Sequence, residues 1–396
     1  MDESPNGPAP KVARGAGAAF WFSRVRLRNW RNFREAETAL SRRTFLIGPN
    51  ASGKSNFLDA FRFLRDLALP GGGLHRAVER RGGVSRLRCL SSRQDPRIGL
   101  EVELSSGERV AWRYELVFHQ DSQKRPTVKR ERVWREGELL LSRPDSQDDE
   151  DTERLSQTHL EQINVNRPFR ELAEALREVR YLHIVPQLIR EPARSAGRKD
   201  DPYGGDFLEH LAQIPERTRI ARLRKVNKAL GFAIPQLEEL KLERDAKGTP
   251  HLKGRYRHWR GQGAWQTEEE LSDETLRLLG LLWAVLDGSG PLLLEEPELS
   301  LHPEVVRLLP QLFTRIQTRG KRQILVSSHS AELLHDTGIG LDEVVLLEPG
   351  EEGTRLGGAD SIPFVRQLLD GGSRMSEIVL KRTRPADVEQ LLLFPE

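Results

Sequence analysis

The segment Thr44-Phe-Leu-Ile-Gly-Pro-Asn-Ala-Ser-Gly-Lys-Ser-Asn56 carries the first firm structural signal in this sequence. Its apolar run Thr44–Ile47 leads directly into a glycine-rich loop. Beyond the loop, Phe57, Leu58, Phe61, Leu64 and Leu67 recur at helical spacing until Pro70 and Gly71–Gly73 stop the helix. Strand, loop and helix in that order are the setting in which GxxxxGK(S/T) is a phosphate-binding loop. Gly48, Pro49, Asn50, Ala51, Ser52, Gly53, Lys54, Ser55 and Asn56 are therefore the expected nucleotide contacts. Backbone N–H groups and the helix N-terminus would cradle the phosphates, Lys54 would reach the β- and γ-phosphates, and the Ser55 hydroxyl would ligate Mg2+. The expected cofactors are ATP and Mg2+.

The last third of the chain has the same alternation. A helix is expected over Asp273–Leu286, a strand over Leu292–Glu295, a helix over Pro303–Gln317, and strands over Ile324–Ser327 and Val344–Leu347. Helices alternating with apolar strands predict an α/β fold, a P-loop NTPase with a mostly parallel core sheet. Pro291-Leu-Leu-Leu-Glu-Glu-Pro-Glu298 ends its strand in adjacent carboxylates. Successive strand side chains point opposite ways, so the two cannot share a role. Glu295 is assigned to Mg2+ and Glu296 to polarising the attacking water. Ile324-Leu-Val-Ser-Ser-His-Ser330 ends in His329 at the edge where a parallel sheet places ligands, and His329 is the candidate partner of the γ-phosphate or the water. His302 has the weaker case and could simply position the following helix.

Between these halves the pattern changes. Ser23–Phe33 alternates apolar and polar residues, and Ile98–Leu141 has period two with an Arg-Glu-Gly-Glu turn, which predicts an antiparallel lobe. The acidic stretch Pro144–Gln162 carries few apolar residues and is expected to be a mobile loop. Helical periods return at Phe169–Val179 and at Ile220–Leu230, with a Gly-, Pro- and Arg-rich stretch, Glu191–Gly205, between them. The expected organisation is a disordered tail at 1–18, an ATPase lobe with the phosphate loop and antiparallel sheet at 19–145, and an acidic loop plus helical and β insertion at 146–265. A second ATPase lobe at 266–350 and a C-terminal extension at 351–396 complete it.

Composition narrows the classes. Sixty-two Lys and Arg against 59 Asp and Glu leave a formal net charge of +3, which tolerates a nucleic-acid partner without requiring one. Cys89 is the single cysteine, so neither an intramolecular disulfide nor a CxxC zinc site can form, and a reducing, cytoplasmic location is expected. No apolar run approaches the roughly 20 residues of a membrane span. Lys124-Arg125, Lys129-Arg130 and Lys253-Gly-Arg-Tyr-Arg-His-Trp-Arg260 interleave cations with aromatics. They suit either phosphate contacts along a nucleic acid or a solvated arginine-rich face.

Taken together, GPNASGKSN, LSDETLRLLGLL, LLLEEPELSLHP and ILVSSHS resemble the RecF/SMC-like ABC ATPases, most closely the small stand-alone group labelled predicted AAA-type ATPases and related to the OLD and PARIS phage-defence ATPases. The likeness covers about Phe22–Leu67 and Glu268–Leu347. It implies an ATP-sandwich dimer in which Leu271-Ser-Asp-Glu-Thr275 of one subunit faces the γ-phosphate on the other, with Ser272 in contact. Read by itself, Ser272 is also a good N-cap with acids in the first turn. Glu274 stands where relatives usually carry glycine, and a carboxylate there would repel phosphate. The resemblance further implies Arg31 as a phosphate or base contact, an ordinary solvated arginine being the alternative. It also implies Gln187, in Tyr181-Leu-His-Ile-Val-Pro-Gln187, as the Q-loop glutamine, a cofactor and Mg2+ contact.

The resemblance implies an ATPase that works as a homodimer or higher oligomer to sense or clamp nucleic acid and/or control a separately encoded effector, its place in phage defence resting on that family analogy alone. OLD-type enzymes continue into a nuclease domain for which the stretch after His329 has no room, so a nuclease would be a partner chain. The tail Arg374–Glu396 could dock such a partner or pack on the core. A RecF-like repair clamp and a non-hydrolysing, ATP-locked scaffold are the alternatives. A transporter ATPase fits poorly because no glycine-rich LSGGQ is present.

Overall fold

The computed structural model describes residues 20–92, 95–191, 201–257 and 264–383. The expected disordered tail, Arg260 and the apolar end Leu391–Phe394 lie outside the described residues. Among the described residues fifteen strands follow in chain order: β1 (Trp21–Trp30), β2 (Phe33–Ala39), β3 (Arg43–Ile47), β4 (Ile98–Ser106), β5 (Arg109–Gln120), β6 (Pro126–Arg135), β7 (Glu138–Arg143), β8 (Arg180–Leu182), β9 (Leu237–Arg244), β10 (Pro250–Tyr256), β11 (Ala264–Thr267), β12 (Leu292–Glu295), β13 (Ile324–Ser328), β14 (Val344–Glu348) and β15 (Arg355–Gly358).

They form three sheets. The central one has the order β15-β14-β3-β13-β12-β8, all parallel except the antiparallel edge strand β15. It places the strand leading into the phosphate loop between the histidine-bearing strand and β14. Side chains alternate across each parallel strand. Leu46, Leu293, Leu325 and Val345 therefore enter one apolar cluster, with the antiparallel sheet and the helix Lys54–Ala68. Phe45, Ile47, Leu294 and Val326 enter a second, with the helices Asp273–Leu286 and Pro303–Gly320. Both faces of the sheet are covered, as apolar parallel strands require.

The second sheet, β2-β1-β4-β5-β6-β7, is antiparallel throughout, and the Arg-Glu-Gly-Glu turn joins β6 to β7 with Glu136 and Gly137 at positive φ. The third, β11-β10-β9, is a small antiparallel sheet following the helix Glu216–Ala233. Ser23–Phe33, read as one alternating segment, is divided between two strands. Asn29 and Arg31 have φ of 51° and 54°, and the chain reverses so that Trp30 pairs with Phe33.

The acidic stretch Pro144–Gln162 is folded where a mobile loop was expected. It carries the helix Ser146–Glu150 and a 3-10 turn Thr152–Ser156. The reason is a buried network that composition cannot reveal. Arg143, fully buried, reaches Asp148 at 2.7 and 2.9 Å and Glu131 at 3.2 Å, and donates to the carbonyls of Arg154 and Gln157. Glu131 also accepts the amides of His159 and Leu160 at 2.7 and 3.1 Å and the Tyr114 hydroxyl at 3.1 Å. A charge this deep is tolerated only when it is itself paired and hydrogen-bonded. Past residue 350, Ile362, Val365, Met375, Ile378 and Val379 pack into the second cluster, so the C-terminal segment as far as 383 lies on the core.

Candidate nucleotide site

The phosphate loop is shaped by close backbone approaches. A Cβ on Gly48 would meet Ser52 Oγ at 2.5 Å and the Leu347 carbonyl at 2.7 Å. Gly53, at φ +98°, would push a Cβ to 2.0 Å from Asn32 Nδ2. Both positions demand glycine. The helix Lys54–Ala68 begins without any side-chain cap, leaving its first N–H groups directed into the loop. Lys54 is buried, and its Nζ donates to the carbonyls of Gly48 at 2.9 Å and Pro49 at 3.0 Å. Burial lowers the Lys54 pKa, opposed by Glu296, Glu298 and Glu295. Ser52 Oγ is buried with no hydrogen-bond partner among the described residues. A cradle closed to any Cβ, with an unsatisfied hydroxyl and an ammonium held on loop carbonyls, fits a phosphate chain.

The loop is pinned from outside by residues the sequence reading did not single out. Asn32 Nδ2 donates to the Ser52 carbonyl at 3.0 Å and to Thr354 Oγ1 at 2.6 Å, while Thr354 Oγ1 donates to the same carbonyl at 2.8 Å. Asn56, expected to touch the cofactor, spends its side chain on Asn32 Oδ1 at 2.8 Å. Asn32 had a local signal, a polar residue in the turn of a basic, aromatic strand. Thr354 had none, because it arrives from the far end of the chain.

Strand β12 presents its carboxylates at the same edge. Glu295 shares a face with Leu293, and its oxygens accept hydrogen bonds from the hydroxyls of Ser55 and Tyr181. Ser55 and Glu295 make a hard oxygen pair suited to Mg2+, which takes one or two protein carboxylates together with substrate phosphates. When bound, the ion would neutralise phosphate charge at this point. Tyr181 hydrogen-bonds and orients the carboxylate, and burial followed by the Glu295 charge pushes its phenol pKa up. Glu296 sits at φ +44°, donates its amide to the Ser327 carbonyl at 3.0 Å, and meets His329 Nδ1 at 3.2 Å. Non-glycine residues rarely hold this backbone conformation without support from the surrounding structure. Beside the pair lies a third carboxylate that the sequence reading left without a role. Glu298 is buried, accepts the Ser328 hydroxyl, has its pKa raised by burial, and has no partner for Oε2 among the described residues.

Other expected residues are placed differently. Arg31 lies on the wall beside the loop but pairs with Asp59 at 3.0 Å, which Arg81 also engages. Gln187 does not meet Ser55 or Glu295. Strand β8 stops at Leu182, His183 and Val185 bind the backbone of Pro202 and Tyr203, and Pro186 opens a short helix that carries Gln187 to Asp273 at 3.4 Å. Tyr181 takes up the contact with Glu295 instead. Ser272 is exposed and caps the helix Asp273–Leu286 through the Thr275 amide at 3.2 Å. Glu274, expected to face phosphate, accepts the His302 amide at 3.1 Å, and His302 caps its own helix through the Glu304 amide at 3.2 Å. The basic clusters are largely neutralised in place: Arg125 by Asp121 at 2.9 Å, Arg130 by Glu115 at 3.1 Å, Lys253 by Glu243 at 2.9 Å and Arg255 by Glu239 at 3.2 Å.

Sheet order and loop geometry define a P-loop NTPase fold of the kind seen in SMC heads. The fold matches an Smc head bound to the C-winged helix domain of ScpA with a TM-score of 0.52 at 13% identity, covering 85% of this chain and 97% of that one. It matches the Smc head of Pyrococcus furiosus with an extended coiled coil, bound to the C-terminal domain of ScpA, with a TM-score of 0.52 at 11% identity, covering 89% and 99%. At these identities the likeness is one of fold. Residues 43–335 match the family described as AAA domain, putative AbiEii toxin, Type IV TA system, and the chain belongs to that family. Nothing among curated protein sequences matches it. Among the described residues no helix is long and apolar enough to cross a membrane.

Proposed function

We propose that this chain hydrolyses Mg-ATP across the interface of a head-to-tail dimer and uses the resulting two-state change to control a separately encoded effector, in phage defence, with a nucleic acid as its second partner. The observation that carries the reading is the Glu296–His329 contact of 3.2 Å at the sheet edge beside the phosphate loop. On this reading Glu296 acts as the general base for water, and His329 holds its carboxylate and hydrogen-bonds the γ-phosphate. The exposed N-terminus of the helix capped by Ser272 supports the trans arrangement, since a helix N-terminus favours phosphate. The turn of Glu274 towards the His302 amide supports this reading over a non-hydrolysing scaffold. On this reading the segments 19–145 and 266–350 supply the two ATPase lobes. The toxin–antitoxin description of the family and the ScpA-bound Smc heads support a protein partner.

Glu296→Gln tests the proposal. It is expected to lower phosphate release by about 10²–10⁴-fold, the usual contribution of a general base, and to trap an ATP-dependent dimer detectable as a doubled mass in light scattering. Unchanged turnover in the variant, or a wild type that stays monomeric at saturating Mg-ATP, would sink it.

A further inference from the structure

A cleft of about 1390 Å³ runs from the Ser55–Glu295 end of the phosphate loop along the helix Lys54–Ala68. One wall is that helix with the segment 70–86, and the other is formed by Tyr181, His183 and Leu188 with Asp201–Tyr203. Among the described residues seven arginines and five carboxylates line it, and the carboxylates nearest the cations are shared. Asp59 serves Arg31 and Arg81, while Asp66 serves Arg80 and Arg81. Positive charge is therefore left in excess at the rim, where Arg76, Arg80 and Arg86 are exposed. Aromatic rings are interleaved with it. Arg62 lies 4.2 Å over the Tyr181 ring, and Tyr203 is 47% exposed on the opposite wall. The volume exceeds the roughly 300–1,000 Å³ of a small-molecule pocket, and the lining is cationic where such pockets are mostly apolar.

We propose that this cleft binds the phosphodiester backbone of a single-stranded nucleic acid, with Tyr203 offering a stacking face. Cations following a backbone, with a sequence-tolerant aromatic platform between them, are the elements such binding requires. An acidic protein would satisfy the arginines but leave Tyr203 without a function. The basic clusters on β6 and β10 are the weaker candidates, since Arg130, Lys253 and Arg255 already pair with acids on neighbouring strands. The Arg62–Tyr181–Glu295 chain of contacts also joins the cleft to the metal carboxylate, giving an occupant a direct route to the ATPase. This inference deepens the reading of a nucleic-acid partner, but binding is measured without nucleotide, so failure of hydrolysis leaves it standing.

The test is fluorescence anisotropy of labelled oligothymidylate and oligouridylate on the full chain, over a range of salt. Arg76→Glu with Arg86→Glu is expected to weaken binding roughly tenfold or more and to reduce the log–log salt slope by about 1.4, the share of two contacts on a single strand. Tyr203→Ala is expected to weaken the oligonucleotides and leave binding of a labelled polyglutamate unchanged, while Lys253→Glu with Arg255→Glu leaves oligonucleotide binding intact. Circular dichroism verifies that each variant folds. No binding by the wild type, equal binding by the rim variant, or loss only in the β10 variant overturns the assignment. Polyglutamate binding as tight as that of the oligonucleotides replaces it with an acidic protein partner.

Discussion

Gly53 and Asn32 define each other. The loop turns at φ +98° only with glycine, and the space a Cβ would need is filled by the amide that holds the Ser52 carbonyl. Asn32→Ala removes that anchor without touching a residue of the loop, and leaves Thr354 as its only remaining clamp on Ser52 among the described residues. Loss of hydrogen bonds worth about 1–2 kcal/mol in ordering the loop should weaken ATP binding by roughly tenfold. Titration with a fluorescent ATP analogue measures this, and an unchanged affinity would show that the loop holds its shape without the anchor. The Glu296–His329 pair was legible residue by residue, because an acidic strand end and a histidine strand end fall at one edge of any parallel sheet. Tyr181 was not, since nothing in its neighbours says that β8 lies beside β12.

At the scale of elements, helices and strands with strong periodicity were readable to within a few residues. The helix Asp273–Leu286 lies where its periodicity and Ser272 cap place it, and the apolar strands of the last third are all present. The acidic stretch after β7 was misread because its order comes from outside itself. Arg143, Glu131 and Asp148 are buried together, and their pairing ties Ser146–Ser156 to β6. Arg143→Met would leave the buried Glu131 without its cation and Asp148 with Arg154 alone, at 3.3 Å, and breaking a buried pair in this way costs about 3–5 kcal/mol. Urea denaturation should show the midpoint fall accordingly. A loss under about 1 kcal/mol would mean that the segment is held by its backbone hydrogen bonds alone.

For the molecule as a whole, the same region makes stability depend on pH. His159 is buried, and desolvation followed by the Arg143 charge lowers its pKa from 6.5 to about 4. The unfolded chain takes up this proton below pH 6.5 while the folded chain refuses it until about pH 4. Its contribution is therefore fully present above pH 6.5 and is lost as pH falls towards 4. Glu131 and Glu161, both raised by burial, shift in the opposite sense nearby, so the informative quantity is a difference. Relative to wild type, His159→Gln should lose less stability between pH 6.5 and 4 in thermal melts. Parallel pH profiles for the two proteins would refute the assignment.

What the sequence determined by itself was whatever depends on neighbours along the chain: the phosphate loop, the order of strands and helices, the carboxylate pair and the histidine, and through them the nucleotide-binding class. Periodicity, capping and loop stereochemistry act over a few residues and leave their mark in the text of the chain. Only the tertiary structure decided that Thr354 clamps a loop some three hundred residues away, that Tyr181 and not Gln187 meets Glu295, that Glu274 turns to His302, and that an acidic stretch folds around Arg143. Each of these is a contact between segments distant in sequence. Side-chain hydrogen bonds of that kind follow from sheet order and register, which local pattern leaves open.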